Sequence, residues 1–328
     1  MAGTTGTRWR HVLPWIVSIA LLVYVFGWAT DWKRLQDAMR AANVPLFLTF
    51  ASADRIAFFF VWTLLQAFAL RRFVAHVPVR SVVAVRGGSE LLRTVSNPLS
   101  DAAFFLGLGE LAGRRVDAVL ASALVPMLCH FLVMLCMMTL ALPFLPGGMR
   151  ANYDVAWTSG VLWVIWIALG VAAALAHSGK LRFPGADAIR EWMRRFPLAK
   201  IRPFLLGFIA LVIFDVTIQQ LASRAFGVEI PWVVLAARIP ILYLWLTVPT
   251  LGNFGTRELA WAGLFSEYAD RDTLVAYALG TNAVFLVLNL VIGILFLPRA
   301  LQLLATVRRA RDAGEAIPEP LLHDPTDL

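Results

Sequence analysis

The sequence has 328 residues, of which 59% are hydrophobic and only 15% are charged, whereas soluble domains usually have about 25% charged residues. This composition excludes an ordinary soluble domain and predicts an all-α polytopic membrane protein. The net charge is +8, but most Lys and Arg residues lie in short segments beside apolar runs, as cytoplasmic anchors do. We therefore expect no nucleic-acid partner.

Along the chain, six apolar segments are long enough to cross the roughly 30 Å hydrocarbon core of a bilayer. These predicted spans are 13–29, 44–70, 118–145, 156–176, 203–222 and 273–298. Two further apolar stretches, 81–108 and 232–265, are interrupted by charged residues, glycines and prolines. Neither interrupted stretch fits a simple span.

Basic residues orient these segments relative to the membrane. The segment 177–202 contains seven Lys or Arg residues and 146–155 contains one, so the first is predicted to be cytoplasmic and the second external. Three further basic segments are also predicted to be cytoplasmic, namely 71–80, 109–117 and 299–311. Each interrupted stretch must then enter and leave on one side, which predicts two re-entrant helical hairpins.

The order of spans and hairpins predicts an inverted repeat within a single transmembrane domain, residues 1–311. The first unit is 44–145, the second is 203–298, and the span 156–176 connects them. Inverted repeats with broken helices are typical of transporters, whose substrate sites lie near the midplane where the broken elements meet. The acidic segment 312–328 is predicted to be a disordered cytoplasmic tail. The N-terminus is also placed in the cytoplasm, and the segment 30–43 outside.

Charged residues inside the apolar stretches are candidates for function, because a charge at the bilayer centre costs about 2.5–3.5 kcal/mol and usually faces a protein interior. They are Arg55, Arg86, Arg93, Arg238 and Arg257, with the acids Asp54, Glu90, Asp101, Asp215 and Glu258. The equal numbers suggest mutual pairing. Structural ion pairs or side chains that reach the interface remain the alternative, above all for Asp54, Arg55 and Arg86.

Asp215 lies in the middle of a predicted span, "LGFIALVIFDVTIQQLASRAF". Gln219 follows one helical turn later on the same face, and its segment contains no basic residue before Arg224. We expect Asp215 to carry a proton during transport or to hold a central structural position. A protonated, hydrogen-bonded acid without a further role is the alternative.

The second interrupted stretch contains "VPTLGNFGTRELAW", residues 248–261. Pro249 disfavours helix before it, and Gly252 and Gly255 permit turns that other residues avoid, so a second half-helix is expected to begin near Thr256. Thr256 is the predicted N-cap.

The start of that half-helix is a predicted phosphate site. A helix N-terminus offers free N–H groups and a partial positive charge, and Arg257 adds a cation. Glu258 can pair with Arg257, bind a headgroup amine or carry a proton. An internal clasp between Arg257 and Glu258 is the structural alternative.

The first interrupted stretch contains "RTVSNPLSDAAFF", residues 93–105. Asn97 and Pro98 mark its predicted turn, and Ser100 or Asp101 is the predicted cap of its second half-helix. Arg93 from this hairpin and Arg238 from the other complete the predicted headgroup-binding set.

These motifs resemble the flippase-like transmembrane region of the lysylphosphatidylglycerol synthase/flippase family, over about residues 44 to 300. The similarity lies in the Gly-x-Arg-Glu turn, the small-residue-rich "TLVAYALGTNAVFLVLNLVIGIL", the span "FVWTLLQAFALRRF" and the Asn-Pro-x-x-Asp turn. On this resemblance Pro249, Gly252, Gly255, Arg257 and Glu258 match the family's motif, whereas the bulky Asn253 and Phe254 depart from it.

The resemblance implies a multi-pass protein of a bacterial-type inner membrane that moves polar lipids. The family's full-length synthases carry an aminoacyl-transferase domain after the membrane part, whereas this chain ends in a short tail. We therefore do not expect it to aminoacylate lipid.

The expected function is translocation of a polar, phosphate-bearing lipid by a flippase or scramblase, through a groove between the two hairpins. A non-catalytic membrane subunit that supports a lipid or glycan biosynthetic enzyme as its partner is the alternative. An enzyme is disfavoured, because the His residues lack metal-ligand spacing and neither Asp-x-x-Asp nor G-x-S-x-G occurs. No metal or cofactor is expected.

Overall fold

The structure, a computed structural model, describes residues 32–114, 116–145, 153–177, 200–247, 250 and 253–313. Most of these residues form helices, and no strand occurs among them, which confirms the all-α prediction. The helices are α1 (Trp32–Ala41), α2 (Val44–Phe73), α3 (Val79–Arg93), α4 (Asn97–Ala112), α5 (Val116–Ala141), α6 (Tyr153–His177), α7 (Arg202–Arg224), α8 (Trp232–Trp245), α9 (Thr256–Leu264) and α10 (Arg271–Asp312).

Four helical segments are long and apolar enough to cross a membrane. They are Val44–Phe73, Val116–Phe144, Arg202–Arg224 and Arg271–Asp312, and each coincides with a predicted span. The predicted span 156–176 forms most of the 25-residue helix α6. The predicted span 13–29 lies outside the described residues, as do 314–328 of the predicted tail.

The last helix runs further than the sequence predicts. The apolar run ends at 298, but α10 continues to Asp312, and its 42 residues span about 63 Å at 1.5 Å per residue. Leu303 and Val307 keep the extension packed against the core of α3 and α4. Arg308 also donates two hydrogen bonds to the Glu110 carboxylate, at 2.5 and 2.9 Å.

The predicted external segment 30–43 is mostly helical, since α1 occupies 32–41 and packs on α10. Asn43 then starts α2, because its side-chain oxygen accepts a hydrogen bond from the Leu46 backbone N–H at 3.2 Å. A capped helix start of this kind satisfies one of the free N–H groups at the end of a helix. Sequence reasoning from charge alone did not reveal α1.

Two pairs of short helices occupy the interrupted stretches. A turn at 94–96 joins α3 to α4, and residues 246–255 join α8 to α9. Helix α3 packs most extensively on α10, because glycines bring the two backbones together. A Cβ atom on Gly293 of α10 would lie 2.7 Å from the backbone nitrogen of Leu91, and one on Gly87 of α3 would lie 2.5 Å from Phe296.

The outward faces of several long helices are apolar and exposed. Examples are Leu124 of α5, Trp163 of α6, Leu206 of α7 and Leu295 of α10. Exposed apolar surface of this extent is unusual for a soluble monomer and is what a lipid-facing helix presents. Most of the buried polar side chains belong instead to α2, α3, α7, α9 and α10.

Candidate functional site

A cavity of about 740 Å³ lies between α2, the α3–α4 pair, α5, α6 and α8. One end is charged and is lined by Arg55, Arg86, Glu90, Arg93 and Asp101. The rest of the wall is mostly apolar and includes Phe59, Met134, Met138, Leu162 and Ile165. The cavity is therefore amphipathic, with one polar end and a long apolar wall.

Helix α3 organises the charged end. Arg86, Glu90 and Arg93 are spaced by four and three residues, which places all three on one face of the helix. Glu90 Oε1 lies 3.2 Å from Arg86 Nε and Glu90 Oε2 lies 2.8 Å from Arg93 Nε. Oε2 also accepts a hydrogen bond from Arg55 Nη2 on α2. The Glu90 side chain is 1% exposed, so one buried carboxylate holds three guanidinium groups.

Asp101 of α4 contributes the second carboxylate. Its Oδ1 atom accepts hydrogen bonds from Arg86 Nη1 and Arg93 Nη2, each at 2.8 Å. The Asp101 side chain is 43% exposed, so it is the open member of the cluster. Arg55 Nε donates instead to Asn289 Oδ1 at 2.6 Å. Three guanidinium groups face two carboxylates, and the excess positive charge suits an anionic ligand.

A second polar cluster lies behind the cavity wall. Tyr243 of α8 lines the cavity, and its hydroxyl donates to Asp215 Oδ2 at 2.8 Å. Gln219 Nε2 donates to Asp215 Oδ1 at 2.7 Å, as their spacing of one helical turn predicts. The Asp54 carboxyl group of α2 lies near Asp215 of α7, and these two helices pack against each other. Tyr243 therefore connects the cavity to a pair of buried acids.

The remaining contacts of that acid pair are sparse. Among the described residues, Asp54 Oδ1 has no hydrogen-bond partner. Both carboxyl groups are buried, with Asp54 5% and Asp215 0% exposed. The two acids come from α2 and α7, helices that are far apart in sequence, so no local pattern predicted their contact.

Helix α9 begins at Thr256, as predicted, but its N-cap differs from the prediction. Gly255, with φ +86°, holds the N-cap position, and Thr256 is the first helical residue, so the predicted Thr256 N-cap is wrong. Glycine adopts this left-handed backbone at little cost, whereas threonine does not. The Glu258 carboxylate accepts hydrogen bonds from Gly255 N at 2.7 Å and from Asn282 Nδ2 at 2.8 Å. Glu258 therefore caps its own helix.

Arg257 lies apart from the cavity. Its side chain is buried, its guanidinium lies 5.0 Å from the centre of the Phe285 ring, and its Nε atom has no hydrogen-bond partner in the described part of the chain. Arg238 also lies outside the cavity lining, donating to Leu264 O at 2.5 Å and to Glu267 Oε1 at 2.7 Å. Of the predicted headgroup-binding residues, Arg93 lines the cavity.

Roles for Arg257, Arg238 and Glu258 in headgroup binding stay predictions. The same holds for Pro249 and Gly252, which lie outside the described residues.

The tips of the two helix pairs contact each other. Asn97 Nδ2 donates to Asn253 Oδ1 at 3.2 Å, and Asn282 Nδ2 lies 3.4 Å from the Asn253 carbonyl oxygen. Asn253 adopts φ 64°, a left-handed conformation that Asn tolerates better than most residues. A short polar bridge therefore joins the two interrupted stretches and the last span.

The predicted cap of α4 is wrong. The helix begins at Asn97, and Ser96 holds the N-cap position without a capping hydrogen bond from its side chain. Pro98 suits the first turn of a helix because its missing N–H group would be unbonded there. Ser100 and Asp101 consequently lie inside the helix, and Asp101 points to Arg86 and Arg93 rather than to the helix start.

Sequence reasoning missed Tyr243, Asn253, Asn282 and Asn289. Asn282 and Asn289 are seven residues apart, which places them on one face of an apolar span two turns apart. A polar pair at this spacing is a usable signal for an inward-facing stripe. Tyr243 gives no such signal, because tyrosines are common in membrane helices near the interface.

The chain matches a known protein family. The family profile described as "Lysylphosphatidylglycerol synthase TM region" matches residues 15–293. Neither a curated protein nor a solved structure matches the chain significantly. The match spans α1 to α9, the larger part of α10 and the whole cavity lining.

Proposed function

The chain belongs to the family of the lysylphosphatidylglycerol synthase transmembrane region, and we propose that it moves a polar, phosphate-bearing lipid across the inner membrane. Family membership and the four apolar helices make it a membrane-embedded protein of a family linked to lipid handling. The observation that supports translocation is the amphipathic cavity. Its arginine-rich end joins directly to a long apolar wall.

The chemistry of the cavity matches that of a phospholipid. Guanidinium groups bind phosphate through paired N–H donors, and Arg55, Arg86 and Arg93 converge at one end. The apolar side chains of α5 and α6 offer a surface for an acyl chain. A volume of about 740 Å³ is within the roughly 300–1,000 Å³ usual for ligand sites, so it accepts a headgroup and part of a chain.

The proposed path follows from the two helix pairs. Helices α3, α4, α8 and α9 contain 15, 16, 14 and 9 residues, and each is shorter than the roughly 20 residues of a simple span. We interpret α3–α4 and α8–α9 as re-entrant hairpins in an inverted repeat with about six full spans, the connecting one being α6. Their tips meet through Asn97 and Asn253, near the centre of such a repeat.

The acid pair supports a proton-coupled form of this transport. Two carboxylates that lie close together in a buried site repel each other strongly, and we propose that one proton held between Asp54 and Asp215 is the proton that transport uses. Loss of that proton leaves two like charges together, and it favours a conformation that separates α2 from α7. Tyr243 provides the hydrogen-bonded link to the cavity. Glu258, which caps α9, has less freedom for this role.

Purified protein in liposomes tests the proposal. Fluorescent phosphatidylglycerol and a glucosyl diacylglycerol of the same chain length are compared, with an impermeant quencher reporting the fraction in the outer leaflet. The wild type is expected to equilibrate the phosphate-bearing lipid faster than empty liposomes and faster than the uncharged lipid. Rates equal to those of empty liposomes for every lipid, with and without a pH gradient, overturn the proposal. Such a result favours a non-catalytic subunit that supports a biosynthetic enzyme.

A further inference from the structure

We propose that Asp101 competes with the lipid phosphate for Arg86 and Arg93, and so sets how tightly the headgroup binds and how readily it leaves. This inference rests on the proposed lipid transport. The Asp101 carboxylate holds Arg86 Nη1 and Arg93 Nη2 through two 2.8 Å hydrogen bonds. Arg86, Arg93 and Asp101 all line the cavity, so a phosphate that binds these two arginines there meets Asp101 as a competitor.

The two carboxylates of the cluster differ in a way that makes one of them exchangeable. Glu90 lies inside α3, is 1% exposed and contacts all three guanidinium groups. Asp101 lies on the other helix of the pair, is 43% exposed and contacts Arg86 and Arg93 through one oxygen. When Asp101 turns away, Glu90 still holds both arginines in place.

Exchange of Asp101 for a phosphodiester preserves the negative charge that is paired with Arg86 and Arg93. Each anion carries one negative charge at neutral pH and offers two terminal oxygens to the guanidinium N–H groups. The arginines therefore remain paired before and after the exchange, which avoids the large cost of a buried unpaired cation. The displaced carboxylate keeps contact with water or the cavity because its position is half-exposed.

An internal competitor is useful in a transport cycle. A site that carries its cargo onward must bind strongly enough to load and weakly enough to release. Return of Asp101 to Arg86 and Arg93 replaces the departing phosphate, so the arginines do not have to become unpaired for release. Removal of the competitor should therefore strengthen binding and slow turnover, whereas loss of a merely structural ion pair should impair both.

The test measures binding of dihexanoyl phosphatidylglycerol to the full chain in detergent by titration calorimetry, and its transport in liposomes. Asp101→Asn keeps the side-chain size and removes the charge. Glu267→Gln is the matched control, since Glu267 is 39% exposed and pairs with Arg238 at 2.7 Å outside the cavity. Asp101→Ser is a second variant in case the amide perturbs folding.

Asp101→Asn is expected to bind this lipid about 10-fold tighter than wild type, because the substitution removes one charge-assisted competitor for the arginines. The same variant is expected to transport the lipid more slowly. Glu267→Gln should match wild type, and dihexanoylglycerol, which lacks phosphate, should show no gain with either variant. Unchanged or weaker binding by both Asp101 variants overturns the competition. If both Asp101 variants fail in this way but Arg93→Gln loses binding, the lipid site is retained without competition by Asp101. If the wild type itself does not bind this lipid, the proposed function is overturned as well.

Discussion

Replacement of Glu90 by Gln should destabilise the protein strongly, although the two side chains have nearly the same shape. Glu90 is the carboxylate that Arg55, Arg86 and Arg93 share, and it is buried between α2 and α3. The amide retains an oxygen acceptor but loses the charge. Asp101 is then the carboxylate left in the cluster, and it contacts two of the three guanidinium groups, those of Arg86 and Arg93.

The size of the effect follows from these contacts. At about 3 Å and an effective dielectric constant of about 20, each charge pair contributes roughly 5 kcal/mol of attraction, most of which offsets the desolvation of the ions. Removal of one partner from a buried pair typically costs about 3–5 kcal/mol. We expect about 4 kcal/mol for Glu90→Gln, because Arg55 keeps Asn289 and the other two arginines keep Asp101.

Unfolding in mixed lipid and detergent micelles, followed by circular dichroism as the denaturing detergent increases, measures this free energy. Glu267→Gln again serves as the control, since a half-exposed pair contributes roughly 0.2–1 kcal/mol. A Glu90→Gln variant within about 1 kcal/mol of wild type, or no less stable than the control, would refute the view that Glu90 holds the arginine cluster together.

Three further predictions follow from other contacts. Gly293→Ala should destabilise the protein by about 1–3 kcal/mol, because the new Cβ atom would lie 2.7 Å from the backbone of α3. Gly170→Ala is the control, since a Cβ atom there has no neighbour within 4 Å. This control variant should unfold like wild type in the same assay. A double-mutant cycle with Asn97→Ala and Asn253→Gly should give a coupling of about 1 kcal/mol, and additive effects would contradict a bond between the two tips. Asp215→Asn should make lipid transport independent of an imposed pH gradient, and a variant that responds like wild type would exclude Asp215 from coupling.

Helix content and position were largely predictable because long apolar runs in a bilayer leave few alternatives to helices. Tertiary information was not needed to recognise the apolar runs that form α2, α5, α7 and α10. The end of α10 was not predictable in this way. It depends on the contact of Arg308 with Glu110, 198 residues away in sequence, and on packing against helices whose positions the sequence does not state.

The charged residues of the site were visible in the sequence, but their pairing was not. The equal number of acids and bases suggested mutual pairing but not its pattern, in which Glu90 contacts three arginines. Which helices bring their charges together depends on the rotation and depth of each helix in the bundle. No spacing within a single segment encodes either quantity.

One error had a local signal. Glu258 stands three residues after Gly255, and a Glu at this distance from an N-cap commonly bonds back to the N-cap N–H group. That pattern indicates Gly255, rather than Thr256, as the N-cap of α9.

The most direct test of the account asks whether a lipid enters the cavity. A phosphatidylglycerol with a photoreactive group on one acyl chain is added to the protein in liposomes, and the crosslinked residues are identified by mass spectrometry. If lipid enters the cavity, adducts are expected at Met134 and Met138, which line the cavity and are buried. These adducts should decrease with excess unlabelled lipid and in Arg93→Gln. Adducts confined to exposed residues such as Leu295 would contradict the account.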